Sequence, residues 1–187
     1  MKIRFVTRNK HKFVEVSKAL QEYGIKVEQL CLDKPEIQAK SLSDVVRFSL
    51  VVLYSVVGEP LVVEDAGLFI EALKGFPGVF SSYVYKTIGV SGILKLMENV
   101  PNRKAMFKSI VGYIDDSQIA LFEGIVEGRI AYEPRGNMGF GFDPIFIPNG
   151  SEKTFAEMSV DEKNKFSHRA KAFRKLASWL IQDKFKR

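Results

Sequence analysis

Four short segments of the chain carry the residue types that chemistry on an anionic ligand needs. Thr7-Arg8-Asn9-Lys10-His11-Lys12 follows an apolar run, Ile3 to Val6, and opens a helical pattern. A helix start presents backbone N–H groups at the positive end of a dipole, which suits a phosphate. Thr7 and Asn9 add neutral donors and Lys12 a charge one turn in; the plainer reading is a capped turn with Asn9 as cap. Glu64-Asp65-Ala66-Gly67 closes the short run Leu61-Val62-Val63, at the carboxyl end of a strand, where open α/β sheets bind ligands. Successive strand residues face opposite ways, so one of the two acids is expected in a site, Asp65 before Glu64. Glu36, in Lys34-Pro35-Glu36, offers a second carboxylate, although alone it reads as an exposed loop acid. Magnesium takes one or two carboxylates together with phosphate oxygens and waters, so Glu36 and Asp65 would suffice.

The third segment, Gly139-Phe140-Gly141-Phe142-Asp143-Pro144, has glycines that let a backbone approach a flat ligand and aromatics that stack on a base or pack a core. In the fourth, Glu162-Lys163-Asn164 leads to Ser167-His168-Arg169. An arginine in a first helical turn is disfavoured by the dipole unless an acceptor is near, so Arg169 points to a ligand.

These segments must be held by elements that the patterning predicts. Ile3 to Val6 reads as a buried strand, and Phe13, Val16, Leu20 and Tyr23 mark a helix stopped by Gly24. Ile25, Val27 and Leu30 suggest a second strand, and Ser41-Leu42-Ser43-Asp44 is a capping box opening a helix to about Val57. Leu61 to Val63 is a short strand ending in the acidic segment. Val90, Ile93, Leu94 and Met97 mark another helix. Lys104 to Ile114 and Gln118 to Ile130 read as a hairpin about Asp115-Asp116-Ser117, with Gly124 and Gly128 as bulges or bends. Ile145 to Ile147 is a short strand, Ser159 to Glu162 a second capping box, and Ser167 caps a last helix with Ala170, Phe173, Ala177, Leu180 and Ile181 on one face. Helices alternate with strands early and a hairpin sits in the middle, which predicts an α/β fold with a mixed sheet, in one domain over 1–187.

At 187 residues, 46% hydrophobic and 27% charged, the chain can bury a core without disulfides. Cys31 is the only cysteine, which excludes an internal disulfide and a thiolate cluster. No apolar run approaches a membrane span, and a strand pattern starts at the N-terminus where a signal peptide would lie, so a cytoplasmic address is expected. The net charge is +6, and residues 163–187 hold nine Lys or Arg against Asp183 alone. That basic segment suits a phosphorylated substrate, nucleic acid or an anionic surface, or is a solvated helix face.

Taken in order, the motifs resemble the non-canonical purine NTP pyrophosphatase family, the inosine triphosphatases and XTP/dITP diphosphatases. The match includes Thr7-x-Asn9-x-x-Lys12, Glu36, Glu64-Asp65-x-Gly67, Phe76-Pro77-Gly78-Val79, Phe140 to Pro144, Lys153 to Met158, and Lys163-Asn164 leading to Ser167-His168-Arg169. It implies a long, curved mixed sheet with helical lobes on either side of a substrate cleft, in a homodimer. It also implies that the segment 7–12, with Thr7, Asn9 and Lys12, holds the triphosphate with help from Lys163. Glu36 and Asp65 would bind Mg2+, and Asp65 would activate water for attack at the α-phosphorus. Phe140 would stack on the purine, with Gly141, Phe142 and Asp143 lining the nucleoside pocket and His168 and Arg169 reading the base. Two positions depart from the pattern. The family often has a Lys in the second helix where this chain reads Arg47-Phe48-Ser49, and a Ser or Thr where it has Ala66, so a contact there must use the backbone N–H. Two rivals remain: a pyrophosphatase acting on modified pyrimidines, and a nucleic-acid binder using the basic helix. Against the second, aromatics are not interleaved with the basic run, and Lys184, Lys186 and Arg187 fall in no motif.

Overall fold

The computed structural model describes residues 1–184 and is built on one mixed six-stranded sheet in the order β2-β1-β3-β4-β5-β6. β1 (Lys2–Val6) pairs in parallel with β2 (Lys26–Leu30) and with β3 (Leu61–Ile70). β3, β4 (Lys104–Ile114), β5 (Ile119–Ile130) and β6 (Phe146–Pro148) are antiparallel neighbours. The β1–β2 and β2–β3 crossovers are α1 (Lys10–Gln21) and α2 (Leu42–Val57), which pack on opposite faces. α1 lies with α6 (His168–Lys184) over Phe5, Val62 and Val111, while α2 covers Val63, Ile110 and Ile114. The far end of the long strands holds α3 (Ser81–Thr87), α4 (Gly89–Leu96), β6 and a core around Phe107, Phe142, Phe146 and Phe155, beside α5 (Val160–Phe166).

The caps follow the sequence signals. Ser41 Oγ accepts from the Asp44 amide, and Ser159 with Glu162 forms a reciprocal capping box. Ser167 Oγ accepts from Ala170 N at the start of α6. α1 ends at Gln21, short of Tyr23, and Gly24 follows at φ 63°.

Three expectations are corrected. β3 does not end at Glu64: residues 64–70 continue the ladder with β4 in unbroken register. Gly67 makes no turn there but gives room, since a Cβ on it would run into the Gly78 carbonyl. Gly124 and Gly128 are not bulges, because β4 and β5 pair residue for residue past both. A Cβ at Gly124 would strike the His168 carbonyl and Ala172 N, and one at Gly128 the Ile147 carbonyl, so these glycines let α6 and β6 lie close on the sheet. α3 was not expected, having only Ser81 and Val84 buried and so no apolar stripe to read.

The basic segment is turned largely onto the protein itself. Lys171 donates to Ile125 O at 2.9 Å, Lys175 to Glu123 O at 2.7 Å, and Arg174 to Glu22 at 2.7 Å. The side chain of Lys184, and Lys186 and Arg187 altogether, lie outside the described residues. Among the described residues no helix is long and apolar enough to cross a membrane.

Candidate active site

Register places the site. β1 meets β3 at Phe5 opposite Val62 and stops at Val6, whereas β3 runs on to Ile70, so from Glu64 onward β3 has no strand beside it on that edge. A cleft of about 600 Å³ adjoins this edge. Both Glu64 and Asp65 line it although they belong to opposite faces of the sheet, because a free edge is reached from either face. Their carboxylates differ in access: that of Asp65 is partly exposed, whereas that of Glu64 is fully buried against Lys12 and Arg169.

The phosphate-type turn lies at the carboxyl end of β1. Thr7, Arg8, Asn9 and Lys12 line the cleft. Asn9 caps α1, its Oδ1 accepting from His11 N at 2.9 Å and Lys12 N at 3.2 Å, while Thr7 Oγ1 accepts from Asn9 N at 3.1 Å. Those amides are thus already partnered. What the turn offers a ligand is the helix dipole, the cationic side chains and the side-chain Nδ2 of Asn9. Lys10 is exposed and lies outside the cleft lining, as does His11, whose ring stacks on Phe140 at 5.6 Å.

Beneath the cleft floor lies a buried ionic network. Glu15, on the inner face of α1, accepts from Lys163 Nζ at 2.7 Å and Arg169 Nη1 at 2.5 Å. Lys163 also donates to Asp143 at 2.6 Å, and Arg169 Nε to Glu64 at 3.1 Å. Glu64 further takes Ser109 Oγ at 2.7 Å and Lys12 Nζ at 2.7 Å. Burial alone would raise the Glu64 carboxyl, but Arg169 and Lys12 together hold it far below the ordinary carboxylate range. Glu15 is lowered in the same way by Arg169 and Lys163. Asp143 goes the other way: burial outweighs Lys163 and raises it. The Arg169 guanidinium is raised, since Glu64 and Glu15 overcome its desolvation.

Two sequence expectations change here. Lys163 does not line the cleft. Its ammonium lies 5.1 Å from the centre of the Phe140 ring and is fixed by two buried carboxylates, which compensate the desolvation of a buried cation. It braces the aromatic loop instead of cradling a phosphate. Arg169 does line the cleft, but with Nε and one Nη1 hydrogen committed to carboxylates, Nη2 is the one nitrogen of its guanidinium with neither hydrogen given to them.

The aromatic wall is Phe140, Gly141, Phe142 and Asp143, faced by Tyr85, which meets Phe142 edge-on at 5.5 Å. Asp143 Oδ2 accepts from Phe140 N at 2.9 Å and so holds the loop closed over Gly139. His168 stacks on Phe107 at 4.8 Å with Nδ1 buried and unpartnered. Burial, then Arg169, lowers its pKa well below the ordinary 6.5, so the imidazole is neutral.

Opposite this wall stand Glu36, Asp65 and Ala66. Lys34 Nζ lies 2.9 Å from Glu36 and 3.0 Å from Asp65. Two carboxylates gripping one cation are a donor set that fits Mg2+, whose other positions phosphate oxygens and water would fill. Among the described residues no group of three or more His, Cys, Asp or Glu is placed to hold a metal ion. Burial raises the Asp65 carboxyl despite Lys34 and Lys12. Sequence reasoning missed Glu15, Lys34, Tyr85 and Lys86, of which the last three line the cleft and Glu15 joins the network beneath it. The first carried a readable signal, a carboxylate on the buried face of α1 beside Val16 and Ala19. Arg47, on α2, is exposed and outside the cleft.

Comparison with known proteins agrees along the whole chain. A dITP/XTP pyrophosphatase of Pyrococcus horikoshii is 56% identical over 180 residues, covering 96% of this chain and 97% of that one. One of Thermococcus kodakarensis is 52% identical over 183 residues, covering 98% and 99%. The solved structure of a HAM1 protein from Coxiella burnetii superposes with a TM-score of 0.84 at 29% identity, covering 97% and 99%. The sequence model of the Ham1 family matches residues 3–179, and the chain belongs to that family.

Proposed function

We propose that the chain is a single-domain, magnesium-dependent nucleoside triphosphate pyrophosphatase. It hydrolyses non-canonical purine nucleoside triphosphates such as ITP, dITP and XTP to the monophosphate and pyrophosphate. One observation carries the reading: the Glu36–Asp65 pair, the cationic start of α1 and the Phe140 wall with Arg169 face one cleft. The names of the Pyrococcus and Thermococcus relatives support it.

In this arrangement Thr7, Arg8, Asn9 and Lys12 bind the triphosphate, and Asp65 orients the attacking water and takes its proton. A bound Mg2+ supplies charge neutralisation on the phosphates. Positioning and charge neutralisation are most of what such phosphoryl chemistry requires. Phe140 stacks on the base, and Arg169 Nη2 donates to a 6-keto oxygen. A 6-amino group would leave that donor unpaired, at about 1–3 kcal/mol. Phe76, Phe80, Tyr83 and Ile88, exposed along one groove, give a second copy a face to cover, which supports a homodimer. The lone exposed Cys31 agrees with a cytoplasmic setting.

The test is product analysis with ITP and Mg2+. IMP and intact pyrophosphate are expected, and Asp65→Asn should lower kcat about 10²–10⁴-fold with the circular dichroism spectrum unchanged. Orthophosphate and IDP as first products would overturn the reading.

A further inference from the structure

Lys34 lies in the segment between β2 and α2, which forms neither helix nor strand. The segment is nevertheless pinned, because the buried Ser49 hydroxyl on α2 donates to Pro35 O at 2.6 Å. From there the Lys34 side chain, 15% exposed, enters the cleft and reaches Glu36, Asp65 and, at 3.3 Å, the Glu64 carbonyl. Three acceptors answer the three donors of an ammonium.

We infer that Lys34 is a built-in counter-ion of the Glu36–Asp65 pair, displaced by a divalent cation and then transferred to the polyphosphate. The inference rests on the reading of those two acids as the metal pair. Without a ligand, Lys34 neutralises both carboxylates, the partly buried Asp65 and the more exposed Glu36, and spares them mutual repulsion. A divalent ion held by the same oxygens repels the ammonium from that place. The four-carbon stem is flexible, and the nearest new anion is the bound polyphosphate. Of the other cations lining the cleft, Lys12 is tied to Glu64, Arg8 is paired with Asp33 and Lys86 stands on α3; among the described residues Lys34 is the one held by both Glu36 and Asp65, and so the one that a cation on that pair would release. Lys34 thus serves the empty site and the occupied one in turn.

The test titrates Mn2+ into the nucleotide-free protein, following free Mn2+ by electron paramagnetic resonance, and separately titrates inorganic pyrophosphate in the presence of Mg2+ by calorimetry. Parent, Lys34→Met, Lys34→Gln and Glu36→Gln are compared, the two Lys34 variants guarding against misfolding of either. Both Lys34 variants are expected to bind Mn2+ at least about tenfold more tightly, or about 1.4 kcal/mol, and pyrophosphate at least about tenfold more weakly. Glu36→Gln should abolish the Mn2+ site. Mn2+ binding that needs Glu36 but ignores both Lys34 changes would overturn the counter-ion role while leaving the proposed activity standing. Mn2+ binding indifferent to Glu36 would overturn the metal pair and this inference together. Tighter Mn2+ with unchanged pyrophosphate binding would overturn the transfer.

Discussion

At the scale of single residues, the meaning of Arg169 depends on what holds it. Its guanidinium is locked between Glu15 and Glu64, so Arg169→Ala would leave Glu15 with Lys163 alone and Glu64 with Lys12 and Ser109, weakening a buried network that holds α1, β3 and α6 together. Such a variant would report on folding before it reported on base choice. Arg169→Lys keeps the charge but loses the planar fork. The ITP:ATP ratio of kcat/KM should then fall at least about tenfold, roughly 1.4 kcal/mol, measured by pyrophosphate release on both nucleotides. An equal loss on both would make Arg169 a phosphate ligand. The sequence made Arg169 suspect through its place in a first turn, and that much was legible. The orientation of Lys163 was not, because its partner Glu15 lies 148 positions away in the chain.

At the scale of elements, the strands and helices with an apolar period were legible, down to the Asp115–Gln118 turn joining β4 and β5. What failed has a common cause: a polar or glycine-rich stretch reads as a break even when neighbours keep it regular. Glu64 to Gly67 stays in β3 because β4 supplies its hydrogen bonds, and Gly124 stays in β5 because α6 needs the space. Gly124→Ala is therefore expected to push α6 off the sheet and cost about 1–3 kcal/mol, read as a lower denaturant midpoint. Because α6 carries His168 and Arg169, KM for ITP should rise as well. A variant as stable as the parent would mean that the helix tolerates a wider separation.

At the scale of the molecule, stability should depend on pH through its interior. The native His168 stays neutral while an unfolded imidazole gains a proton below about 6.5, so stability is lost as pH falls from there. Glu15 and Glu64, held low in the fold, add a second loss as pH drops below their ordinary 4.5. Asp143 and Asp65, raised by burial, accept protons in the fold and oppose part of that second loss. Urea melts from pH 8 to 3 should show a constant stability above 7 and then a decline of up to about 1.4 kcal/mol per pH unit. His168→Phe should flatten the stretch between 6.5 and 5 and leave the acid limb in place. A parent curve already flat there would mean the imidazole is charged in the native state.

The free edge of β3 has one more consequence. Leu68 N donates to Ser81 Oγ at 2.8 Å and Glu64 O receives Lys34, both on the side away from β4. Strand periodicity turns the Ala66 amide the same way, toward the cleft. A main-chain donor has no side-chain identity, so evolution can exchange the residue around it without touching what it offers. That part of the site is silent to alanine scanning and to any reading of residue types. Only a change to the backbone itself, such as an ester in place of the Ala66 amide, would make it audible.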